Sequence, residues 1–264
     1  MTRHQFGKAL NPPADQPRRQ AHPPVGGAAE GLLARGVTHH YGTAPGAPAA
    51  LAGVDLDLCS GDSLAVMGPS GSGKTTLLHV LAGILTPTSG TVTWRGHHLV
   101  ALSDRARTRL RRTDFGFVFQ SGQLLPELPA LENVALPLML AGASRRVASE
   151  RALRILTDLG LGGMGHRRPG ELSGGQAQRV AIARALAINP GVVFADEPTG
   201  ALDRETGEHV MGQLVSATRA HGASLVVVTH DPEVARWCSR TVMMRDGRIV
   251  AEHQGPTQTL AVSR

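Results

Sequence analysis

Lysine is nearly absent from this chain. Lys8 and Lys74 are its only two, although lysine and arginine together number 27. The remaining cations are arginines, so Lys74 marks a place where a compact point charge serves better than a planar fork. Aromatics are equally scarce, at 3% with a single tyrosine. The core must therefore be built from Val, Leu, Ile and Ala, which a 41% hydrophobic content supplies. Only two cysteines occur, Cys59 and Cys238, without CxxC spacing. With no metal-ligand cluster beside them, that argues against a disulfide framework and a zinc site, and each reads as a buried or semi-buried thiol in a reducing compartment. No window offers the roughly 20 uninterrupted apolar residues of a membrane span. The first residues have no apolar stretch of the secretory type. The expected protein is soluble and cytosolic, and reaches a membrane only through a partner.

The net charge of +6 and a pI near 10.5 suit nucleic acid or an anionic membrane surface. Basic runs interleaved with aromatics are missing, so direct nucleic-acid binding is not expected. A length of 264 residues fits one large domain or a domain with an inserted subdomain.

The chain is organised around Gly68-Pro69-Ser70-Gly71-Ser72-Gly73-Lys74-Thr75. An apolar run from Ser63 to Met67 precedes it, and a helical pattern from Thr76 to Leu85 follows. Strand, glycine-rich loop and helix in that order make a phosphate-binding P-loop. Glycines let backbone N–H groups turn inward around an anion. The helix points its positive end at the same place. Lys74 then reaches the β- and γ-phosphates, and the Thr75 hydroxyl can ligate Mg²⁺.

Residues 1–30 are rich in Pro, Gly, Ala, Gln and Arg without apolar periodicity, and read as a disordered tail. Strand patterns follow at Leu33 to His40, at Val54 to Leu58 with strict alternation, and at Thr91 to Trp94. Together they suggest an antiparallel edge sheet. Tyr41, in the connection His40-Tyr41-Gly42, is either an ordinary loop aromatic or a ring that stacks on a nucleobase. Leu102 to Arg112 predicts an exposed helix. Phe115 to Phe119 predicts a buried strand ending at Gln120, where open α/β sheets place ligand contacts. From about 120 to 172 the strand–helix alternation stops, which predicts an inserted helical subdomain. Its stripe of Ala152, Ile155, Leu156 and Leu159 is core packing.

Ser173 is a candidate N-cap for an Ala-rich helix from Ala177 to Ile188. Gly174 and Gly175 before it leave backbone N–H groups bare, which makes a second anion site. Val192 to Ala195 is an apolar strand ending in Asp196-Glu197. Two adjacent carboxylates are costly unless a cation or proton compensates them. Asp196 is placed to hold Mg²⁺ and Glu197 to activate a water. Glu205 to Thr218 reads as a helix with Val210, Met211, Leu214 and Val215 inward. Leu225 to Thr229 reads as a central parallel strand, with His230 just past its end. A lone histidine is usually structural, but this position can face a nucleotide. Arg240 to Met244 and Arg248 to Glu252 form a hairpin pattern, and residues 253–264 read as a mobile tail.

With these residues placed, the span from about Gly31 to Glu252 resembles the ATP-binding subunit of an ABC transporter. Gly68 to Thr75 is similar to Walker A, Val192 to Asp196 to Walker B, and Leu172 to Gln176 to the ABC signature. Gln120 stands where the family has its Q-loop glutamine. Ala201-Leu202-Asp203 resembles the D-loop, Glu197 the catalytic glutamate, His230 the switch histidine and Tyr41 the adenine-stacking aromatic. The fold that the resemblance implies is α/β: a P-loop NTPase core with a mostly parallel sheet, an antiparallel edge sheet and the helical subdomain. It further implies a head-to-tail dimer with two ATP molecules at the interface. Tyr41, Gly68, Ser70, Gly71, Ser72, Gly73, Lys74, Thr75 and Thr76 of one copy would meet Ser173, Gly174, Gly175, Gln176 and Asp203 of the other. Thr75, Gln120 and Asp196 would hold Mg²⁺, and Glu197, His230 and Gln120 would serve catalysis.

Gln120 to Pro126, Leu131 to Leu138 and Asp196 to Asp203 look like the macrolide-export and lipoprotein-release group. The implied partner is an integral membrane permease with a large extracytoplasmic domain, with this chain on the inner face of the cell membrane. The N-terminal stretch and Ala177 depart from the family pattern. An alternative is a mechanical or regulatory ATPase similar to the cell-division ATP-binding protein. Soluble ABC ATPases that act on DNA or ribosomes have coiled coils or tandem cassettes, and this chain has neither.

Overall fold

The computed structural model describes residues 31–42 and 48–255. The stretch 1–30 and most of the expected C-terminal tail lie outside the described residues. The elements run β1 (Leu32–His39), β2 (Leu51–Leu58), β3 (Ser63–Met67), α1 (Lys74–Leu81), β4 (Ser89–Trp94), β5 (His97–His98), α2 (Asp104–Thr113), β6 (Phe115–Phe119), α3 (Ala130–Leu140) and α4 (Arg145–Asp158). After these come α5 (Gly174–Leu186), β7 (Val192–Asp196), α6 (Arg204–Ala220), β8 (Ser224–Val228), α7 (Pro232–Ala235), β9 (Arg240–Arg245) and β10 (Arg248–Gln254).

Two sheets form. The larger has the order β10-β9-β3-β8-β7-β6. Within it β3 runs parallel to β8 and β9, and β7 runs parallel to β6 and β8. Only the β9–β10 hairpin is antiparallel. The smaller sheet, β2-β1-β4-β5, is antiparallel. The expected edge strands therefore form a sheet of their own.

The parallel strands are apolar on both faces because both faces are covered. Ala65, Val193, Ala195, Leu225 and Val227 point into one core with α3, α4, α5 and α6. Leu64, Val66, Val192, Phe194, Val226 and Val228 point into the other, shared with α1 and the antiparallel sheet. In that second core Trp94, Phe115 and Phe194 meet edge to face at 5.5 and 5.3 Å. Three aromatics in series do much of the filling in a chain so poor in them.

Two boundaries differ from expectation. β10 continues to Gln254, because His253 and Gln254 pair with Thr241 and Arg240. Unused hydrogen-bonding groups on β9 extend the hairpin past the end of the apolar pattern. α5 begins at Gly174, not Ala177. Ser173 closes a capping box there: its Oγ accepts from the Gln176 amide at 3.3 Å, and Gln176 Oε1 accepts from the Ser173 amide at 2.9 Å. A capping box needs no side chain on the two residues between its partners, so glycine is tolerated in the first turn. The stripe of α4 is buried, with Ala152 and Leu156 at 0% exposure. Leu131 to Leu140 is helical despite Pro137. Cys238 is buried as expected, but Cys59 is exposed, because it lies just past the end of β2.

Candidate nucleotide site

Parallel β3, β6, β7 and β8 all end at one edge of the large sheet. Their carboxyl ends deliver Gly68, Gln120, Asp196-Glu197 and Thr229-His230. Sequence order scatters these residues over 160 positions, and the crossovers gather them.

The P-loop is fixed by backbone that admits no side chain. Gly73 has φ +98, and a Cβ there would lie 2.3 Å from the Ala50 carbonyl oxygen. Gly73 is also the N-cap of α1 and supplies no side-chain cap. The amides of the first turn are thus left for an external acceptor. Lys74 is buried, and its Nζ donates to the carbonyls of Gly68 at 2.8 Å and Pro69 at 3.0 Å. The loop's own oxygens hold the ammonium over the cradle. Ser72 Oγ is buried with no partner among the described residues. An orphan hydroxyl costs about 1–3 kcal/mol, and a phosphate oxygen in the cradle would satisfy it.

Thr75 Oγ1 lies 3.5 Å from Asp196 Oδ1. That is a poor hydrogen bond, yet both oxygens suit one hard cation. Burial pushes the Asp196 carboxyl above the ordinary carboxylate range, with the Thr75 hydroxyl opposing it more weakly. A desolvated carboxylate of this kind gains from a cation. Among the described residues no group of three His, Cys, Asp or Glu side chains converges. The donor set fits Mg²⁺, which is commonly held by one or two protein oxygens and the substrate's phosphates. Gln120, expected as a third ligand, is exposed and folds over Gly200, where a Cβ would lie 2.9 Å from its Nε2.

Glu197 adopts φ +47, a left-handed conformation costly for a side chain with a Cβ. Its backbone is pinned there: its amide donates to Val228 O at 2.9 Å, and its carbonyl accepts from Gly200 at 3.1 Å. The carboxylate is held at both oxygens. Oε1 lies 2.8 Å from His230 Nδ1, and Oε2 accepts from Thr229 Oγ1 at 3.3 Å. The Thr229 hydroxyl accepts in turn from the Asp231 amide at 3.1 Å. Sequence reasoning passed over Thr229, which looked like the last residue of a strand.

Tyr41 is 59% exposed. Its hydroxyl lies 3.1 Å from Thr76 Oγ1, and its ring meets His39 edge-on at 4.9 Å. The ring is therefore tethered beside α1 with a face open to solvent. Asp203 caps α6, accepting from the Thr206 amide at 3.0 Å. The second glycine turn packs against that same region. A Cβ on Gly174 would meet Leu202 at 3.1 Å, and one on Gly175 would meet Thr206 Cγ2 at 2.5 Å. The sequence suggested glycines that bare the backbone for an anion. The structure adds that Gly175 lets α5 and α6 touch.

Asn133 is a further residue that sequence reasoning missed. It is fully buried in the first turn of α3. It accepts from the Leu125 amide at 2.8 Å and donates to Leu125 O at 3.0 Å and Leu128 O at 2.8 Å. One side chain thereby fixes the loop that leads away from Gln120. Its only signal was an uncharged polar residue, next to Glu132, at the start of a helix that is otherwise apolar.

Comparison with known proteins agrees with this geometry. The family model described as ABC transporter matches residues 51–200. The lipoprotein-releasing system ATP-binding protein LolD 2 of Caulobacter vibrioides is 47% identical over 218 residues, 83% of this chain and 96% of that protein. The macrolide export ATP-binding/permease protein MacB of Bradyrhizobium diazoefficiens is 49% identical over 204 residues, which are 77% of this chain but 31% of that protein. A dimeric post-hydrolysis structure of the ATP-binding cassette MJ0796, bound to ADP and Pi, superposes with a TM-score of 0.77 at 41% identity, covering 84% of this chain and 98% of that one. The chain belongs to the ABC transporter family, as an ATP-binding, ATP-hydrolysing subunit.

Proposed function

We propose that two copies of this chain close head to tail around two Mg·ATP and drive a separate permease with a large extracytoplasmic domain. The observation that carries this reading is a separation. Lys74, Asp196, Glu197 and His230 converge at one edge of the sheet, while the capped turn Ser173–Gln176 is seated on Leu202 and Thr206. In a head-to-tail pair the turn of one copy covers the P-loop of the other, and Asp203 stands between the two sites.

Within each site, Tyr41 stacks on the base. The backbone of Gly68 to Thr76 surrounds the phosphates, and Lys74 exchanges its contacts with Gly68 and Pro69 for the β- and γ-phosphates. Thr75, Asp196 and Gln120 would hold the cation, which would supply charge neutralisation on those phosphates. Glu197 accepts a proton from the attacking water. His230 and Thr229 hold its carboxylate on both sides, so that it meets the water in one orientation. The Ser173 turn closes the far side and excludes bulk water. Hydrolysis removes the γ-phosphate that joined the two copies, and the dimer opens.

The chain works on the cytoplasmic face. No helix among the described residues is long and apolar enough to cross a membrane. The permease docks in an apolar groove lined by Ile84, Phe117, Phe119, Leu136, Pro137 and Leu140, with Arg111 and Arg112 at its rim. Ile84 and Leu140 are exposed together in this groove, at 44% and 58%, and a contiguous apolar patch of this kind marks an interaction site. The work done is export or membrane extraction of a cargo; the relatives' names speak of lipoprotein release and macrolide export for those proteins.

The test is recovery of Glu197→Gln protein from membranes in the presence of ATP. Co-recovery of a permease with a large extracytoplasmic domain supports the reading. A division-type partner without a transport pathway contradicts the transport half of it. Nucleic acid or ribosomes without any membrane protein contradict the transporter reading and leave the ATP site as argued.

A further inference from the structure

The turn that carries Gln120 is held from outside by the signature helix. Phe119 to Gly122 form a tight turn, closed by the Gly122 amide donating to Phe119 O at 2.9 Å. Gln120 occupies its first central position. Gln178 of α5 donates from Nε2 to the same Phe119 oxygen at 3.0 Å. Arg184, two turns further along α5, donates from Nη1 to Gln123 O at 2.7 Å and from Nη2 to Gly122 O at 2.8 Å. Gly122 and Gln123 both have positive φ, +67 and +45. That shape presents two successive carbonyls to one side, where a planar guanidinium can fork across them. Ala181, between the two polar residues, packs under the turn: a Cβ on Gly122 would lie 3.6 Å from its methyl.

Neither polar side chain has a simpler reason to be there. Gln178 is 3% exposed and is the one buried side chain of α5 that is polar. Arg184 makes no ion pair among the described residues, and burial lowers its pKa from the ordinary value. The half-buried guanidinium spends its hydrogen-bond donors on backbone, with no acid beside it among the described residues. Here its donors go to the backbone on the carboxyl side of Gln120, while Gln178 holds the backbone on the amino side.

We propose that Gln178 and Arg184 are positioning residues for Gln120, fixing its turn to α5 so that Gln120 and the signature Ser173–Gln176 move as one body. The proposal rests on the role of Gln120 as a cation ligand given above. It has a mechanical corollary. α5 presents its first turn to the nucleotide of the partner copy and holds Gln120 at the nucleotide of its own. A rotation of α5 therefore alters both sites at once. Arg184 also lines the apolar groove, so a permease helix seated there presses directly on the clamp.

The test uses the full chain with two conservative variants, Gln178→Met and Arg184→Lys, and Gln120→Ala as reference. Four quantities are measured: kcat at saturating ATP, the Mg²⁺ concentration for half-maximal turnover, ATP affinity in EDTA, and the melting temperature. Outer-shell partners of metal ligands change affinity or activity by about 10–100-fold. Each variant is expected to lose about tenfold in kcat and to need severalfold more Mg²⁺, at the lower end of that range. ATP affinity in EDTA should stay near the wild-type value because the P-loop is untouched. The melting temperature should change little, because methionine keeps the volume of buried Gln178 and the Phe119 oxygen keeps its bond from the Gly122 amide. Wild-type kcat and Mg²⁺ response in both variants, with Gln120→Ala slow, would overturn the clamp alone. An equal loss of ATP affinity in EDTA would also overturn it, since the two residues would then be acting on the fold. Wild-type turnover in Gln120→Ala would remove the role of Gln120 and the clamp with it.

Discussion

Replacing Gly175 with alanine isolates what the structure adds to the signature turn. The new methyl would stand 2.5 Å from Thr206 Cγ2. Two carbons in good contact are about 3.5–4.0 Å apart, so α5 and α6 must separate by about 1 Å. Gly175 does not have positive φ, so no backbone penalty enters. Alanine is in fact the better helix former, by up to about 1 kcal/mol. Overpacking opposes it with about 1–3 kcal/mol, and the net loss is about 1–2 kcal/mol. For a domain of this size that lowers the melting temperature by about 2–8 °C. The decisive comparison is Gly175→Ala with Thr206→Ala. Removing the threonine methyl leaves Thr206 Cβ as the nearest atom, at an ordinary 4.0 Å. Melts and steady-state ATPase of the two single variants and the double variant form a cycle. A coupling of about 1 kcal/mol, within the range for residues in contact, with recovery of stability in the double variant is expected. If Gly175→Ala melts at or above the wild type, or if Thr206→Ala leaves the loss intact, the contact between α5 and α6 is not why glycine stands there.

Asn133→Leu should lose about 2–4 kcal/mol in urea unfolding, because it removes three hydrogen bonds to the part-buried backbone of Leu125 and Leu128 at about 0.5–1.5 kcal/mol each; a loss under 1 kcal/mol would refute this. For Asp196→Asn without nucleotide or Mg²⁺, the sign follows from burial. A carboxyl whose pKa is raised in the fold binds more protons folded than unfolded, so its contribution to stability falls as pH rises. The asparagine variant should therefore melt above the wild type at neutral pH. The gap should close as pH falls through the raised value toward the ordinary carboxylate pKa. A gap that widens on acidification would show that ionised Asp196 stabilises the empty site.

Much of the fold was legible because each central strand is a short apolar run bounded by turn chemistry. Phe115 to Phe119, Val192 to Ala195 and Leu225 to Thr229 lie within one residue of the observed strands at each end. P-loop and strand-end residues were legible for the same reason: a parallel sheet puts the residue after each strand at one edge. Partnership was not legible. Nothing local says that Thr229 will hold Glu197, that Asn133 will tie up a loop eight residues upstream, or that Arg184 will reach back over sixty positions to Gly122 and Gln123. Those contacts depend on how helices are laid over the sheet. Gly175 shows the same limit: its spacing suggested a bare backbone, and only the crossing of α5 and α6 reveals the close approach. His253 and Gln254 are polar, so periodicity ended the hairpin too early, while strand pairing with Thr241 and Arg240 carried it on.

The central claim is that ATP joins two copies through Lys74 of one and Ser173–Gln176 of the other, with Glu197 ending that state. Light scattering of Glu197→Gln tests it most directly, beside the same protein carrying Ser173→Arg. With ATP, the first should shift from 27.7 kDa to twice that mass and stay there. The second should bind ATP and remain a monomer, and ADP should leave both monomeric. A Glu197→Gln protein that binds ATP without dimerising, or a Ser173→Arg variant that still dimerises, would contradict the account.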